Sequence, residues 1–348
     1  MKKIVLFLAL SLGIEVSNSQ GFEAIILASD DASLLAEKFI DPVMNGLIYS
    51  INGGWYTTAK THKKLGFDLT INLNAAFVPR RDEVFDFNPS DYTFLSLPDG
   101  QTQLPTVMSD LDQEATIDVV IPVGDGTFKV ASFDFPGGIR EEIPINAVPT
   151  PMVQLGFGLP LKTDIKLRFV PKLNFDDKVG ANLIGLGLQH DITQYFKPID
   201  KLPLNISLLA AFTDMKVTYD IDDNDAMDNI RVTNGEAEFR MNAWTFQAIA
   251  SLDFKIISLY GGFGYNYGTS TIRMKGNYGL TYNLEDSNGN LIGTIDESIN
   301  DPINLDFSAT GIRGTIGARI NIGFFKIFAD YTAQNYNNIS GGIAFSFR

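Results

Sequence analysis

Cysteine is absent from all 348 residues. That removes disulfides, thiolate metal sites, cysteine nucleophiles and a lipid-modified cysteine anchor together. Histidine occurs only twice, at 62 and 190. Basic residues are outnumbered, 27 Lys and Arg against 41 Asp and Glu, for a formal charge of −14. Nucleic acid, which needs a basic footprint, is therefore not an expected partner. Long apolar runs are missing as well. The best, residues 4–14, falls short of the roughly 20 residues a transmembrane helix requires. It follows Lys2 and Lys3 and precedes the small residues Ser17 and Ser19, so residues 1–20 read as a signal peptide with cleavage near Gln20. An exported chain without an apolar helix can enter a membrane only as a closed β-barrel.

What is present suits that route. Hydrophobic residues make up 45% and mean hydropathy is +0.05, as when outward apolar and inward polar residues cancel. The last forty residues alternate strictly. Ile312, Gly314, Ile316, Ala318, Ile320 and Ile322 interleave with Arg313, Thr315, Gly317, Arg319 and Asn321. After a two-residue turn, Phe325, Ile327, Ala329, Tyr331 and Ala333 interleave with Lys326, Phe328, Asp330, Thr332 and Gln334. Ile339, Gly341, Ile343, Phe345 and Phe347 close the series. A period of two places each set on its own face of a sheet, with the charges all on one. Residues 65–78 alternate in the same way. At about 3.3 Å each and a tilt near 40° they rise roughly 35 Å, more than the apolar band of roughly 25 Å.

Eleven strands are readable, starting near residues 47, 65, 150, 163, 179, 203, 239, 256, 309, 325 and 338. Bacterial single-chain barrels have an even number, so one more is expected between 268 and 307. The fold class is thus all-β, a transmembrane antiparallel β-barrel of about 12 strands (10–14), with an N-terminal helical plug. The domain reading is a signal peptide at 1–20, a plug or periplasmic segment at 21–46, and a barrel at 47–348 with a long extracellular loop at 79–147. In the plug, Ser29 is the expected N-cap and Asp30 and Asp31 lie in the first turn. Asp41-Pro42 should restart a second short helix that Gly46 ends. Leu34, Leu35 and Phe39 need burial, inside the barrel or on its periplasmic rim. Within the loop, residues 115–123 and 127–135 read as a hairpin turning at 124–126.

The same face of these strands carries Asp68, Asn72, Asn74, Lys166, Arg168, Gln247, Asp253, Arg313, Arg319, Lys326 and Asp330, the expected lumen lining. Mixed signs in a narrow barrel point to ion pairs filling the interior ahead of a selectivity ring. Trp244, Tyr265 and Tyr267 should form the outer aromatic girdle, with Trp244 and Tyr265 side by side across a turn near 254–255. Phe254, Phe324 and Tyr195 should mark the inner one. Spacing puts no serine beside His62 or His190, so no catalytic residue is assigned and the chain is not expected to be an enzyme. The acidic stretch with Asp220, Asp222 and Asp225 is a weak candidate for divalent cations. It misses the EF-hand pattern, having Asp225 where Gly is required and Arg231 where the bidentate Glu should fall. No other metal and no cofactor is implied.

Residues Asn52-Gly53-Gly54-Trp55-Tyr56-Thr57-Thr58-Ala59-Lys60, Leu65-Gly66-Phe67-Asp68-Leu69-Thr70 and 149–160 resemble an uncharacterised family of Bacteroidota outer-membrane barrels, a domain of unknown function. The likeness extends to Gly187-Leu188-Gln189-His190-Asp191-Ile192 and the ending Phe345-Ser346-Phe347-Arg348. It implies fold and an outer-membrane location in a Gram-negative bacterium, without an activity. The terminal strand is similar to the signal read by the barrel-insertion machinery. A looser similarity, of architecture alone, is to FadL-type long-chain fatty-acid transporters. The expected partners are outer-membrane lipids, the insertion machinery and a small solute. The expected function is a non-enzymatic barrel, a passive channel or transporter of small, even hydrophobic, solutes. Alternatives are a structural or interaction barrel acting through its outer loop and, remotely, an outer-membrane lipid hydrolase.

Overall fold

The computed structural model describes residues 29–98, 101–110, 115–123, 126–140, 143, 145–176, 178–196, 202–221, 230–285 and 291–347. Residues 1–20, read as a signal peptide, lie outside them. Helix α1 (Ser29–Ile51) comes first. Strand β1 (Phe67–Phe77) follows, then the small strands β2 (Val84–Asp86), β3 (Leu95–Ser96), β4 (Gln103–Pro105), β5 (Ala115–Val123) and β6 (Gly126–Phe135). The remainder is β7 (Ala147–Leu159), β8 (Thr163–Asp176), β9 (Val179–Asp191), β10 (Leu204–Ile221), β11 (Ile230–Asp253), β12 (Ile257–Glu285), β13 (Leu291–Asn300), β14 (Ile303–Ile322), β15 (Phe325–Ala333) and β16 (Asn338–Phe347).

Ten strands close a ring in the order β1, β7, β8, β9, β10, β11, β12, β14, β15, β16 and back to β1, every neighbour antiparallel. The barrel therefore has ten strands, where sequence counting favours about twelve. The extra strand sought between 268 and 307 exists as β13, but it pairs only with the far end of β12 and stands outside the ring. The strand read at 47–58 does not form. Residues 47–51 complete α1, because Ile40, Met44, Ile48 and Ile51 continue a helical stripe that buries all four. Their short apolar alternation fits either period.

Nor does α1 break at Asp41-Pro42. The helix runs through Pro42, at the cost of one backbone hydrogen bond, because packing holds both halves. Gly46 is inside the helix and does not end it. A side chain there would collide with Val148, 2.5 Å from where a Cβ would stand.

The two ends of the barrel differ. One is joined by short turns at 160–162, 254–256 and 323–324 and by the segment 192–203, which holds a 3-10 turn at Thr193–Tyr195. The other carries 78–146, the β12–β13 arm and the link from β10 to β11. Outward side chains form an apolar belt. Phe157, Ile184, Leu208, Phe263, Ile312 and Ile316 are all exposed, and the residues between them face inward. An exposed apolar belt round a polar interior is the arrangement that hydrocarbon outside and water inside would select. Trp244, Tyr265 and Tyr267 lie in this belt. Trp244 faces Tyr267 rather than Tyr265, and Tyr265 faces Phe246. The turn takes three residues, 254–256, which moves the register by one outward pair. Phe254, Phe324 and Tyr195 stand exposed at the turn end.

The described residues of the 78–146 connection are folded. Strands β5 and β6 make the expected hairpin, β3 joins β5, and β2 pairs with β4. Its apolar residues pack with α1 in one core that includes Leu35, Phe39, Ile48, Leu104, Ile117 and Phe135. Phe39 and Phe135 meet edge to face at 5.3 Å. Leu35 and Phe39 are buried and Leu34 is partly buried, under this loop rather than at the turn end.

Candidate functional site: a lumen filled by the chain itself

After α1 the backbone descends inside the barrel from Asn52 to His62 without regular secondary structure, bending repeatedly, before turning into β1. An irregular segment without helix or sheet partners leaves its carbonyls unpaired, and burying them so costs about 1–3 kcal/mol each. The wall supplies the donors. Arg168 gives Nη1 to Ile51 O and Nη2 to Gly53 O, each at 2.7 Å. Arg313 Nη1 reaches Asn52 O at 2.7 Å, Asn72 Nδ2 reaches Gly54 O at 3.1 Å, and Lys166 Nζ reaches Trp55 O at 2.8 Å. Gln154 also donates to Trp55 O. Gln189 Nε2 serves Thr58 O and Ala59 O at 3.1 Å.

The last turn of α1 carries no basic residue of its own. Arg168 and Arg313, from opposite parts of the ring, place two positive charges at its carboxyl end, where the helix dipole is negative. Cations in this lumen thus pair chiefly with plug carbonyls. The interior ion pair that sequence reading favours is represented by Arg319 with Asp253 at 3.6 Å. Arg319 also donates to Thr57 Oγ1, and Asp253 accepts from Thr58 Oγ1.

Trp55 is the anchor of the segment. It is 1% exposed, and the Arg168 guanidinium carbon stands 3.7 Å from its ring centre, a cation–π contact. Glycines make its room. A Cβ on Gly187 would lie 2.9 Å from Trp55 Cζ3, and one on Gly185 3.2 Å from Cη2. Ala211, Leu209 and Ile249 complete the apolar socket, with Tyr56 and Tyr260 beside them. Tyr260 donates to Asp330 at 2.9 Å. Gly54 takes φ +65°, a left-handed backbone that glycine adopts without strain, and Asn72 occupies the place a side chain would need.

The structure places the other candidates as follows. Asn74 is buried against the Gly53 backbone, Gln247 is buried and bonded to Thr245, and Asp68 lies near the turn end beside His62. Lys326 sits over the 323–324 turn and donates to Gly323 O. Of the acidic stretch, Asp220 closes the end of β10, while Asp222 and Asp225 lie outside the described residues.

One expectation is overturned. A serine does stand beside a histidine: Ser346 Oγ is 3.4 Å from His62 Nε2, and Asp164 holds Nδ1 at 2.9 Å. Asp164 accepts from the His62 backbone N–H as well, and Asp68 lies 3.7 Å from Nε2. His62 and Ser346 are 284 residues apart, so only ring closure brings them together. The contacts fasten the lower end of the plug to β1, β8 and β16. His190 is bonded instead to Thr163 and Tyr195.

At the loop end, α1 is held by Asp31, whose carboxylate accepts from the backbone N–H groups of Thr93 and Phe94. Burial, with Asp82 and Glu37 adding repulsion, pushes the Asp41 carboxyl up to about 6. Asn45 donates to it at 2.6 Å.

These features define a closed antiparallel ten-stranded β-barrel of outer-membrane type, stoppered by its own amino-terminal chain. The chain belongs to the family of unknown function DUF6588, whose model matches residues 1–347. No curated protein matches it. Among solved structures it is similar to Ail, the attachment invasion locus protein of Yersinia pestis, at 10% identity over 82% of this chain and 99% of that one, TM-score 0.24. The translocator domain of the autotransporter NalP from Neisseria meningitidis gives 10% identity, 91% and 98% coverage and a TM-score of 0.27. A Pseudomonas aeruginosa FadL homologue gives 11%, 81% and 88%, and 0.18.

Proposed function

We propose that the chain resides in the outer membrane of a Gram-negative bacterium as a gated, non-enzymatic barrel. It passes or binds a small solute only when its plug moves. The observation that carries this reading is the set of wall donors aimed at backbone carbonyls of residues 51–59. Holding a chain in the lumen by so many buried polar side chains is costly if the barrel is merely a wall, since an apolar filling would serve better. Lipids of that membrane are the outer partner, and the terminal strand ending at Phe347 addresses the insertion machinery.

The test is bilayer conductance and solute uptake of the wild type beside Arg168→Ala/Arg313→Ala. The wild type should be nearly silent and the double variant leaky. Silence of both, with the variant correctly inserted, would defeat the gating reading. A second reading, a partner-binding barrel, is supported by the internal pairing of the 78–146 loop and its shared core with α1. A pull-down that loses its partners when the loop is shortened, with conductance unchanged, would favour it.

A further inference from the structure

We infer that the plug is inserted with its amino end outward: the first turn of α1 lies at the cell's outer surface, and the chain joins the stopper to the barrel wall at the periplasmic rim. This rests on the outer-membrane reading above and adds a direction to it.

Barrels of this kind keep short turns on the periplasmic side and long loops outside, so the end with turns 160–162, 254–256 and 323–324 faces inward. The course of the chain then fixes the plug. Its carboxyl half is inside the ring: Ile48 fills the space beside Gly268, where a Cβ would be 2.5 Å from its Cγ2. Tyr49 donates to Thr310 O at 2.9 Å and stacks on Tyr336. Its amino half is among the outer loop. Asp31 binds Thr93 and Phe94, Lys38 is 3.9 Å from Asp91, and Phe39 O accepts from Val107 N. Asn52 to His62 then descend, and Leu65 N bonds to Gly158 O beside the 160–162 turn.

Two consequences follow. The segment 63–66 ties the stopper to β1 at the inner rim, so release has to begin at the outer end, where α1 and the loop share one core. An agent that opens the barrel therefore acts from outside, on the joint surface of α1 and 78–146.

The cysteine-free chain permits a direct test with single substitutions at exposed positions: Asp30→Cys, Ser90→Cys in the outer loop and Lys255→Cys in a short turn. Whole cells are treated with a membrane-impermeant maleimide before or after lysis. The expected result is labelling of D30C on intact cells to the same extent as S90C, with K255C labelled only after lysis. Labelling of D30C only after lysis, with S90C and K255C as expected, overturns the outward plug and leaves the barrel's orientation standing. Labelling of K255C but not S90C on intact cells overturns the orientation and this inference with it, and recovery of the protein in the soluble fraction overturns the membrane reading as well.

Discussion

The guanidinium carbon of Arg168 stands 3.7 Å from the centre of the Trp55 ring. The same side chain bonds the carbonyls of Ile51 and Gly53. One wall residue therefore grips the stopper by face and by backbone. Arg168→Ala removes two charge-assisted hydrogen bonds and a cation–π contact, roughly 3 kcal/mol of docking or more. Trp55 and Trp244 are the two tryptophans. In a Trp244→Phe background, Trp55 emission should shift to the red when Arg168 is replaced and stay unshifted when Lys166 becomes Arg.

The glycines under Trp55 predict a steric counterpart. Gly187→Val would drive a side chain into the indole and should expel Trp55 while β9 keeps its pairing, costing on the order of 1–3 kcal/mol. The readouts are the same red shift and new protease cleavage near residue 55. Neither is expected for Gly314→Ala, where a Cβ meets nothing within 4 Å.

Asp41 makes the outer joint sensitive to pH. Its carboxyl titrates near 6 when folded against 3.8 ordinarily, so between those values the folded form binds the extra proton. The Asp41 contribution to stability is full below about pH 4 and is lost as pH rises through about 6. The melting temperature of the wild type should drop across that window, and Asp41→Asn should flatten the drop. An unchanged slope in the variant would refute the assignment.

The apolar belt predicts asymmetry between neighbours. Ile316→Arg, on the outward face, should cost about 2–4 kcal/mol of membrane stability if it lies at mid-depth, read as lost heat-modifiable folded band. Thr315→Ser, facing the lumen one residue away, should fold normally.

Ser346, His62 and Asp164 form a line of contacts resembling a nucleophilic triad, which the non-enzymatic reading takes as a fastening of the plug. A serine-reactive phosphonate should leave Ser346 unmodified in the folded protein. His62→Ala should loosen the segment 52–62, seen as new proteolytic cleavage there. Stoichiometric labelling of Ser346 would make the barrel an enzyme.

Much of the wall was legible without coordinates, because a barrel strand writes its two solvents into alternate residues. The strands near 150, 163, 203, 256, 325 and 338 start within a few residues of those places, and Arg168 and Arg313 sit on the inward face that alternation assigns. The plug was less legible. Leu47, Tyr49 and Ile51 satisfy period two while Ile40, Met44, Ile48 and Ile51 satisfy a helical stripe, so the helix was decided by what Ile48 meets inside the ring. Gly185 and Gly187 look like ordinary strand glycines until Trp55 lies on them.

By itself, then, the sequence determined that this chain makes a membrane-type barrel, because the preference of each face for hydrocarbon or water is local and repeats every second residue. The tertiary structure decided the number of strands in the ring and which carbonyls the lumen arginines hold. It also decided the meeting of His62 with Ser346. Those depend on where the sheet closes on itself, which brings residues more than 250 positions apart within 3 or 4 Å of each other.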